Sequence, residues 1–207
     1  MTPDLPGHGA SAGVSASLDA TADLVATLRS REPSALGGYS FGGRVALHVA
    51  LADPTSVSHL VLVSTSMGIA DADERTARQR SDEALAHMIR QHGVEAFLAY
   101  WRQLPLFATT PNDAWGTRSA DGEGLATSLE RAGVGTQDYL APRLAALTMP
   151  VLLVYGTLDP KYEAAAKAMA ALLPRATVAP IDGAGHAAHL EQPAVVAEII
   201  HRFLATE

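Results

Sequence analysis

The run Gly38-Tyr39-Ser40-Phe41-Gly42 limits the fold more than any other feature of the chain. It is a G-x-S-x-G pentapeptide set between an apolar segment opening at Ala35-Leu36 and the small, apolar stretch Arg44–Ala52. Small residues on both sides of a serine allow a tight strand-to-helix turn, because only glycine lets neighbouring backbone approach so closely. Strand, sharp turn and helix is the simplest reading. It puts Ser40 at a helix N-terminus, where free N–H groups and the helix dipole favour developing negative charge. The Phe41 N–H is then one candidate oxyanion donor. Alone, such a pentapeptide is as readily an ordinary glycine-rich turn, so its flanks and its distant partners decide its meaning.

The flanks alternate strand and helix. The chain opens loop-like through Ser17, and Leu18–Arg31 has its apolar residues at helical spacing. His59–Val63 and Val151–Tyr155 are short continuous apolar runs, as expected for parallel strands covered on both faces. Lys161–Leu173 reads as a helix, Ala176–Ile181 as a strand and Pro193–Ala205 as a helix. Between Asp71 and about Ala132 the pattern changes to charged amphipathic helices, Asp71–Gln91 and Val94–Arg102, and turn-rich stretches such as Pro111–Gly124. The expectation is an α/β fold, a mostly parallel sheet flanked by helices. Residues 1–70 and 136–207 form the core, and 71–135 form an inserted helical cap.

A serine hydroxyl needs a histidine to accept its proton, and the histidine needs an acid to fix its tautomer. Asp159, in Gly156-Thr157-Leu158-Asp159-Pro160, follows the strand Val151–Tyr155. His186, in Gly183-Ala184-Gly185-His186, follows Ala176–Ile181. Each falls at the C-terminal end of a parallel strand, where such sheets gather their sites. Asp159 is also a natural N-cap for the helix after it, and His186 an ordinary loop histidine. The chain order Ser, Asp, His favours a catalytic triad. His189 stands as an alternative base, and His8 reads as part of a structural loop. Without an H-E-x-x-H arrangement, metal is the weaker idea for the His186/His189 pair.

Bulk properties exclude other classes. The chain has 207 residues, no cysteine and a formal net charge of −7. With no basic run, nucleic acid is not an expected partner. No apolar stretch approaches the roughly 20 residues that span a bilayer, so no membrane association is expected. Met1–Gly9 lacks a charged and apolar leader pattern, and the reading is a cytoplasmic protein, monomer or homo-oligomer.

The triad, the Gly38–Gly42 run and the opening Asp4-Leu5-Pro6-Gly7-His8-Gly9-Ala10-Ser11 together resemble the α/β-hydrolase superfamily over nearly the whole chain. Four stretches narrow the resemblance. They are Gly38–Leu47, Asp73–Asp82 (Asp-Glu-Arg-Thr-Ala-Arg-Gln-Arg-Ser-Asp), Tyr100–Phe107, and the pair Gly156–Tyr162 with Gly183–His189. They are similar to the family of 2-succinyl-6-hydroxy-2,4-cyclohexadiene-1-carboxylate synthases of menaquinone biosynthesis, lyases that eliminate pyruvate. The resemblance implies Ser40, Asp159 and His186 as catalytic residues, with Ser40 as a base rather than an acylating nucleophile. It implies substrate binding by Tyr39, Arg44, Arg78, Trp101 and Phe107, a small-molecule carboxylate substrate, and no cofactor or metal. Arginine forks suit carboxylates, and an acidic chain needs fixed cations to hold an anionic substrate.

The alternatives are a serine hydrolase of small esters or carbon–carbon bonds, and, from another class, an inactive fragment or binding module. The family has further strands before the segment matching Asp4–Gly9, and a His-Gly loop that donates the second oxyanion hydrogen bond. The expectation is therefore an N-terminally truncated sequence arising from a late-set start codon.

Overall fold

The computed structural model describes residues 1–115 and 121–205. Positions 116–120 of the turn-rich stretch expected at Pro111–Gly124, and the last two residues of the expected segment 136–207, lie outside the described residues. In chain order the elements are α1 (Leu18–Thr27), β1 (Ser34–Tyr39), α2 (Phe41–Ala52), β2 (Val57–Val63), α3 (Ala72–Arg102), α4 (Gly122–Ala132), β3 (Val151–Gly156), α5 (Pro160–Ala170), β4 (Ala176–Ile181), α6 (Ala188–Glu191) and α7 (Pro193–Leu204). They pack as two compact units. One holds Leu28–Met67, Pro105–Ala114 and Leu140–Glu207, and the other holds Met1–Thr27, Gly68–Leu104 and Trp115–Tyr139.

The first of these carries a four-stranded sheet in the order β1-β2-β3-β4, parallel throughout. The two central strands explain their own sequences. Leu60, Leu62, Val151, Leu153 and Tyr155 pack with Ala46, Leu47 and Ala50 of α2 and with Ala166 and Met169 of α5. The alternate residues Val61, Val63, Leu152 and Val154 pack with Ile181 and with Val196 and Phe203 of α7. Successive side chains of a strand point to opposite faces, so a strand covered on both faces must be apolar without interruption. Each fully buried leucine or valine contributes about 1.5–3 kcal/mol.

The register brings the carboxyl ends of the strands together. Tyr39 lies opposite Val63, Val63 opposite Val154, and Gly156 opposite Ile181. The residues that follow, beginning at Ser40, Ser64, Thr157 and Asp182, therefore leave the sheet from one edge.

In the helical unit α3 breaks at Gly93, whose φ of 80° and ψ of 170° no helix contains. The two segments match the two helices expected from the amphipathic pattern. Asp71 caps the first by accepting the Glu74 N–H. Ala86, Ile89 and Phe97 of α3 bury themselves against Ala126 of α4, with Trp101 and Leu125 alongside. The opening loop belongs to this unit. A Cβ at Gly7, which has a φ of 82°, would stand 2.4 Å from the Gly124 carbonyl oxygen. Helix α1 stops at Thr27, short of the Arg31 that apolar spacing predicts, and beyond its end the Arg29 guanidinium donates to the Ser34 and Ser56 carbonyls at 3.0 and 2.6 Å. No helix among the described residues is long and apolar enough to cross a membrane.

Candidate active site

Ser40 joins β1 to α2 with a φ of 48° and ψ of −107°. This is left-handed territory that costs a non-glycine residue about 1–3 kcal/mol and persists only where the surroundings over-determine it. Here they do. The Ser40 N–H donates to the Val63 carbonyl at 2.9 Å, and the Ser40 carbonyl accepts the Arg44 N–H at 3.1 Å. The same carbonyl accepts the Thr65 hydroxyl at 2.7 Å. The glycines around the turn differ in purpose. A Cβ at Gly38 would stand 2.2 Å from the Gly42 carbonyl carbon, and one at Gly43 would stand 2.5 Å from the Thr65 Oγ1, whereas one at Gly42 would meet nothing within 4 Å.

The loop after β4 brings His186 to this serine. The Ser40 Oγ lies 3.1 Å from His186 Nε2, and His186 Nδ1 lies 2.8 Å from Asp159 Oδ2. A carboxylate only accepts, so Nδ1 carries the ring proton and Nε2 is left to accept from the serine hydroxyl. Asp159 and His186 are 4% and 1% exposed. The second Asp159 oxygen accepts the Tyr162 N–H at 3.2 Å, which caps α5. The N-cap reading and the catalytic reading of Asp159 thus describe one side chain using its two oxygens separately. Burial with both oxygens occupied fixes the carboxylate, and the carboxylate fixes the imidazole.

Rings enclose the histidine. The centroids of Tyr162, Tyr39 and Phe107 lie 4.4, 5.2 and 5.7 Å from that of His186. Phe41 opens α2, with its amide in the first helical turn. Arg44, one turn further on, is 7% exposed, and its guanidinium carbon lies 5.1 Å from the centre of the Phe41 ring. The structure gives the Ser40 hydrogen bond to His186. His189, the other candidate base, lies with its ring 4.3 Å from Tyr39. Burial, and then the neighbouring His186, hold the His189 pKa below its ordinary value, with Glu191 opposing. His8 has a ring nitrogen 3.0 Å from the Pro6 carbonyl, within its own loop.

In the helical unit, Arg78 on α3 donates through Nε to Asp82 Oδ1 at 2.9 Å, and Trp101 stacks at a tilt on Phe97 with centroids 5.2 Å apart. Among the described residues no cluster of three His, Cys, Asp or Glu could hold a metal ion.

Three contributors were not anticipated from the sequence. Thr65 braces the Ser40 carbonyl, Tyr162 braces Asp159, and Glu191 accepts both N–H groups flanking His186, from Gly185 at 2.6 Å and from Ala187 at 3.1 Å. The only signal for Glu191 was its place five residues after the histidine. The signal for Thr65 was a hydroxyl just past the end of a parallel strand.

Residues 1–199 match the model of the alpha/beta hydrolase family. A Serratia proteamaculans (strain 568) protein named 2-succinyl-6-hydroxy-2,4-cyclohexadiene-1-carboxylate synthase is 35% identical over 97% of this chain and 81% of its own length. A Bacillus subtilis (strain 168) protein, provisionally given the same name, is 38% identical over 82% of this chain, and the match spans only 65% of that relative. Among solved structures, MenH from S. aureus superposes with a TM-score of 0.90 at 32% identity, covering 97% of this chain and 81% of that one. A malate-bound esterase from Thermogutta terrifontis gives a TM-score of 0.78 at 27% identity, covering 98% and 78%. A serine on a strained strand-to-helix turn, hydrogen-bonded to a histidine that is held by a buried aspartate, agrees with these matches, and the chain belongs to the alpha/beta hydrolase family, among its 2-succinyl-6-hydroxy-2,4-cyclohexadiene-1-carboxylate synthases.

Proposed function

We propose that this chain eliminates pyruvate from a succinyl-cyclohexene carboxylate, with Ser40 as the base. The observation that carries the reading is the likeness, 35% identical over 97% of the chain, to a relative named as such a synthase, and the hydrogen-bonded line from Ser40 through His186 to the buried Asp159 supplies the base. Ser40 takes a ring proton while its own hydroxyl proton passes to His186 Nε2. The electron pair of the C–H bond becomes the new ring double bond, and the C–O bond to the three-carbon group breaks. The oxygen leaves with the three-carbon group as the enolate of pyruvate, which takes the proton held on His186 Nε2 and so restores the neutral imidazole. Asp159 stabilises the imidazolium that forms. The Phe41 N–H, at the positive end of α2, supports developing oxyanion charge.

Such a substrate carries several carboxylates, and a chain with a net charge of −7 repels it at long range. Arg44 supplies a fixed local cation. It is buried one turn beyond Ser40 with its guanidinium carbon 5.1 Å from the centre of the Phe41 ring, and the planar guanidinium fork suits a carboxylate bidentately. Arg78 is the second carboxylate ligand, Tyr39 and Phe107 pack against the bound ring, and Trp101 adds apolar surface. The reaction needs no cofactor, the partner is a small-molecule carboxylate, and the setting is cytoplasmic.

The second reading is a serine hydrolase of small esters, in which Ser40 acylates. The likeness to the Thermogutta esterase favours it, since the same three residues serve either chemistry. A lactate dehydrogenase-coupled assay of pyruvate release separates the two. The expected result is release that Ser40→Ala abolishes, that Asp159→Asn lowers by about 10⁴-fold in kcat, and whose KM rises in Arg44→Ala. No pyruvate, together with Ser40-dependent cleavage of an aryl ester, would replace the lyase by the hydrolase.

A further inference from the structure

We propose that Asp82 is a positioning residue. It holds the Arg78 guanidinium by its Nε edge, so that the two terminal amino groups form a pre-set fork for a substrate carboxylate. This rests on the reading above, in which Arg78 binds substrate, and it assigns a role to a residue outside the triad and the arginines.

The two side chains lie one turn apart on α3, with Nε donating to Oδ1 at 2.9 Å. Their exposures are unequal, 29% for Arg78 and 3% for Asp82. Among the described residues Arg78 makes no other hydrogen bond or ion pair. Nη1 and Nη2 are therefore left for a ligand. A guanidinium fixed at one edge keeps the planar pair of donors that matches a carboxylate.

Three observations argue against an ordinary helix-stabilising ion pair. The acid lies C-terminal to the base, the weaker of the two orders for an i,i+4 pair. The second oxygen, Oδ2, is buried with no hydrogen-bond partner, a cost that a surface pair never incurs. The carboxylate is also admitted by a glycine at an electrostatically poor place. A Cβ at Gly133 would stand 2.4 Å from Asp82 Oδ2 and 2.4 Å from the Leu129 carbonyl oxygen. Gly133 is the C-cap of α4, the negative end of that helix. A carboxylate placed there in spite of all three has a role other than local stability, and among the described residues its one polar partner is Arg78.

The test measures binding and turnover separately in the full chain. Binding is titrated calorimetrically with 2-succinylbenzoate, a stable aromatic dicarboxylate that carries the same succinyl chain as the named product. Turnover is followed as pyruvate release. Ordering a loose side chain on binding costs about 0.5–1.5 kcal/mol, so Asp82→Ala is expected to weaken affinity by about two- to twelvefold. KM should rise to match, with kcat unchanged. Asp82→Asn, which keeps an oxygen for Nε–H, should recover most of the loss. The double variant Asp82→Ala/Arg78→Ala should bind no more weakly than Arg78→Ala. If Arg78→Ala does not fold because it strands a buried carboxylate, Arg78→Lys takes its place, since it keeps the charge and loses the fork.

A wild-type chain that binds the dicarboxylate and releases pyruvate, beside an Asp82→Ala variant with native affinity and only a lowered Tm, overturns the positioning role alone. Losses that multiply in the double variant overturn it as well. A wild-type chain that neither binds nor releases overturns this inference together with the proposed function.

Discussion

Gly38→Ala and Gly42→Ala are the same chemical change at the two glycines of one motif, and the structure predicts opposite outcomes. At Gly38 the new methyl would stand 2.2 Å from both the carbonyl carbon and the oxygen of Gly42, and 2.5 Å from the Gly43 nitrogen. Carbon atoms in contact normally sit about 3.5–4.0 Å apart. Backbone in the first turn of α2 must therefore retreat by more than about 1 Å, with no flexible side chain to absorb the movement. Overpacking of this kind costs about 1–3 kcal/mol, and a rigid backbone neighbour puts the expected loss at about 3 kcal/mol. Because the recoiling turn carries Ser40, the histidine contact opens too, and a misplacement of about 1 Å costs roughly 10²-fold in rate. Gly42→Ala meets nothing within 4 Å and lies inside α2, where alanine is favoured over glycine by about 0.5–1 kcal/mol. Differential scanning calorimetry and single-turnover kinetics on both variants provide the comparison. A Gly38→Ala protein with wild-type Tm and rate would refute the steric argument, as would a Gly42→Ala protein as impaired as Gly38→Ala.

Ser40→Gly should abolish turnover yet leave the fold at least as stable, by up to about 1–2 kcal/mol in chemical denaturation, because glycine removes the positive-φ penalty at the cost of some unfolded-state entropy. Thr65→Val removes one of two hydrogen bonds to the Ser40 carbonyl and should cost about 1 kcal/mol while lowering kcat more than KM. Glu191→Gln leaves one of the two N–H groups beside His186 facing an amide NH2 instead of an acceptor; a loss of about 1–2 kcal/mol and a lowered kcat at unchanged KM are expected, and an unchanged kcat would remove Glu191 from the site. His189 has a depressed pKa, so the folded chain resists the proton that the unfolded chain accepts below its ordinary value. The stability that His189 contributes is therefore complete above about pH 6.5 and is lost as pH falls towards the folded pKa. The Tm of the wild type should accordingly fall faster than that of His189→Gln between pH 7 and 5, and parallel curves would refute the assignment.

Much of this site was legible in the sequence, for a physical reason. The triad residues stand at the ends of strands whose apolar runs are unmistakable, and a parallel register aligns strand ends automatically. The break at Gly93 was legible because helical periodicity stops on one side of a glycine and restarts on the other. The bracing residues were not. Thr65 lies 25 residues from the carbonyl it holds, and its partner is backbone, which has no sequence signature. Asp82 sits in a charged run with Arg78 and Arg80, where pattern alone predicts a solvated face. Only the neighbouring glycine and the buried Oδ2 reveal a carboxylate turned inward. The His186/His189 choice was open for a related reason, since two histidines three residues apart share their flanking signals, and only the structure separates His186 in the loop from His189 in the short helix α6.

A serine, a histidine and an aspartate in this geometry do not by themselves choose between acylation and proton abstraction. Nε2 accepts the serine proton in both, and the strained turn exposes Oγ in both. What separates the outcomes is which atom of a bound substrate is brought to Oγ, an acyl carbon or an acidic C–H. An anionic substrate approaching a chain with a net charge of −7 is positioned by fixed cations rather than by the overall field. On the proposed reading the decision therefore lies in the arginines. Arg44 is set by burial beside Phe41, and Arg78 by a carboxylate that stability alone would not place there. Changes that loosen either arginine should erode the choice of reaction before they erode the reactivity of Ser40.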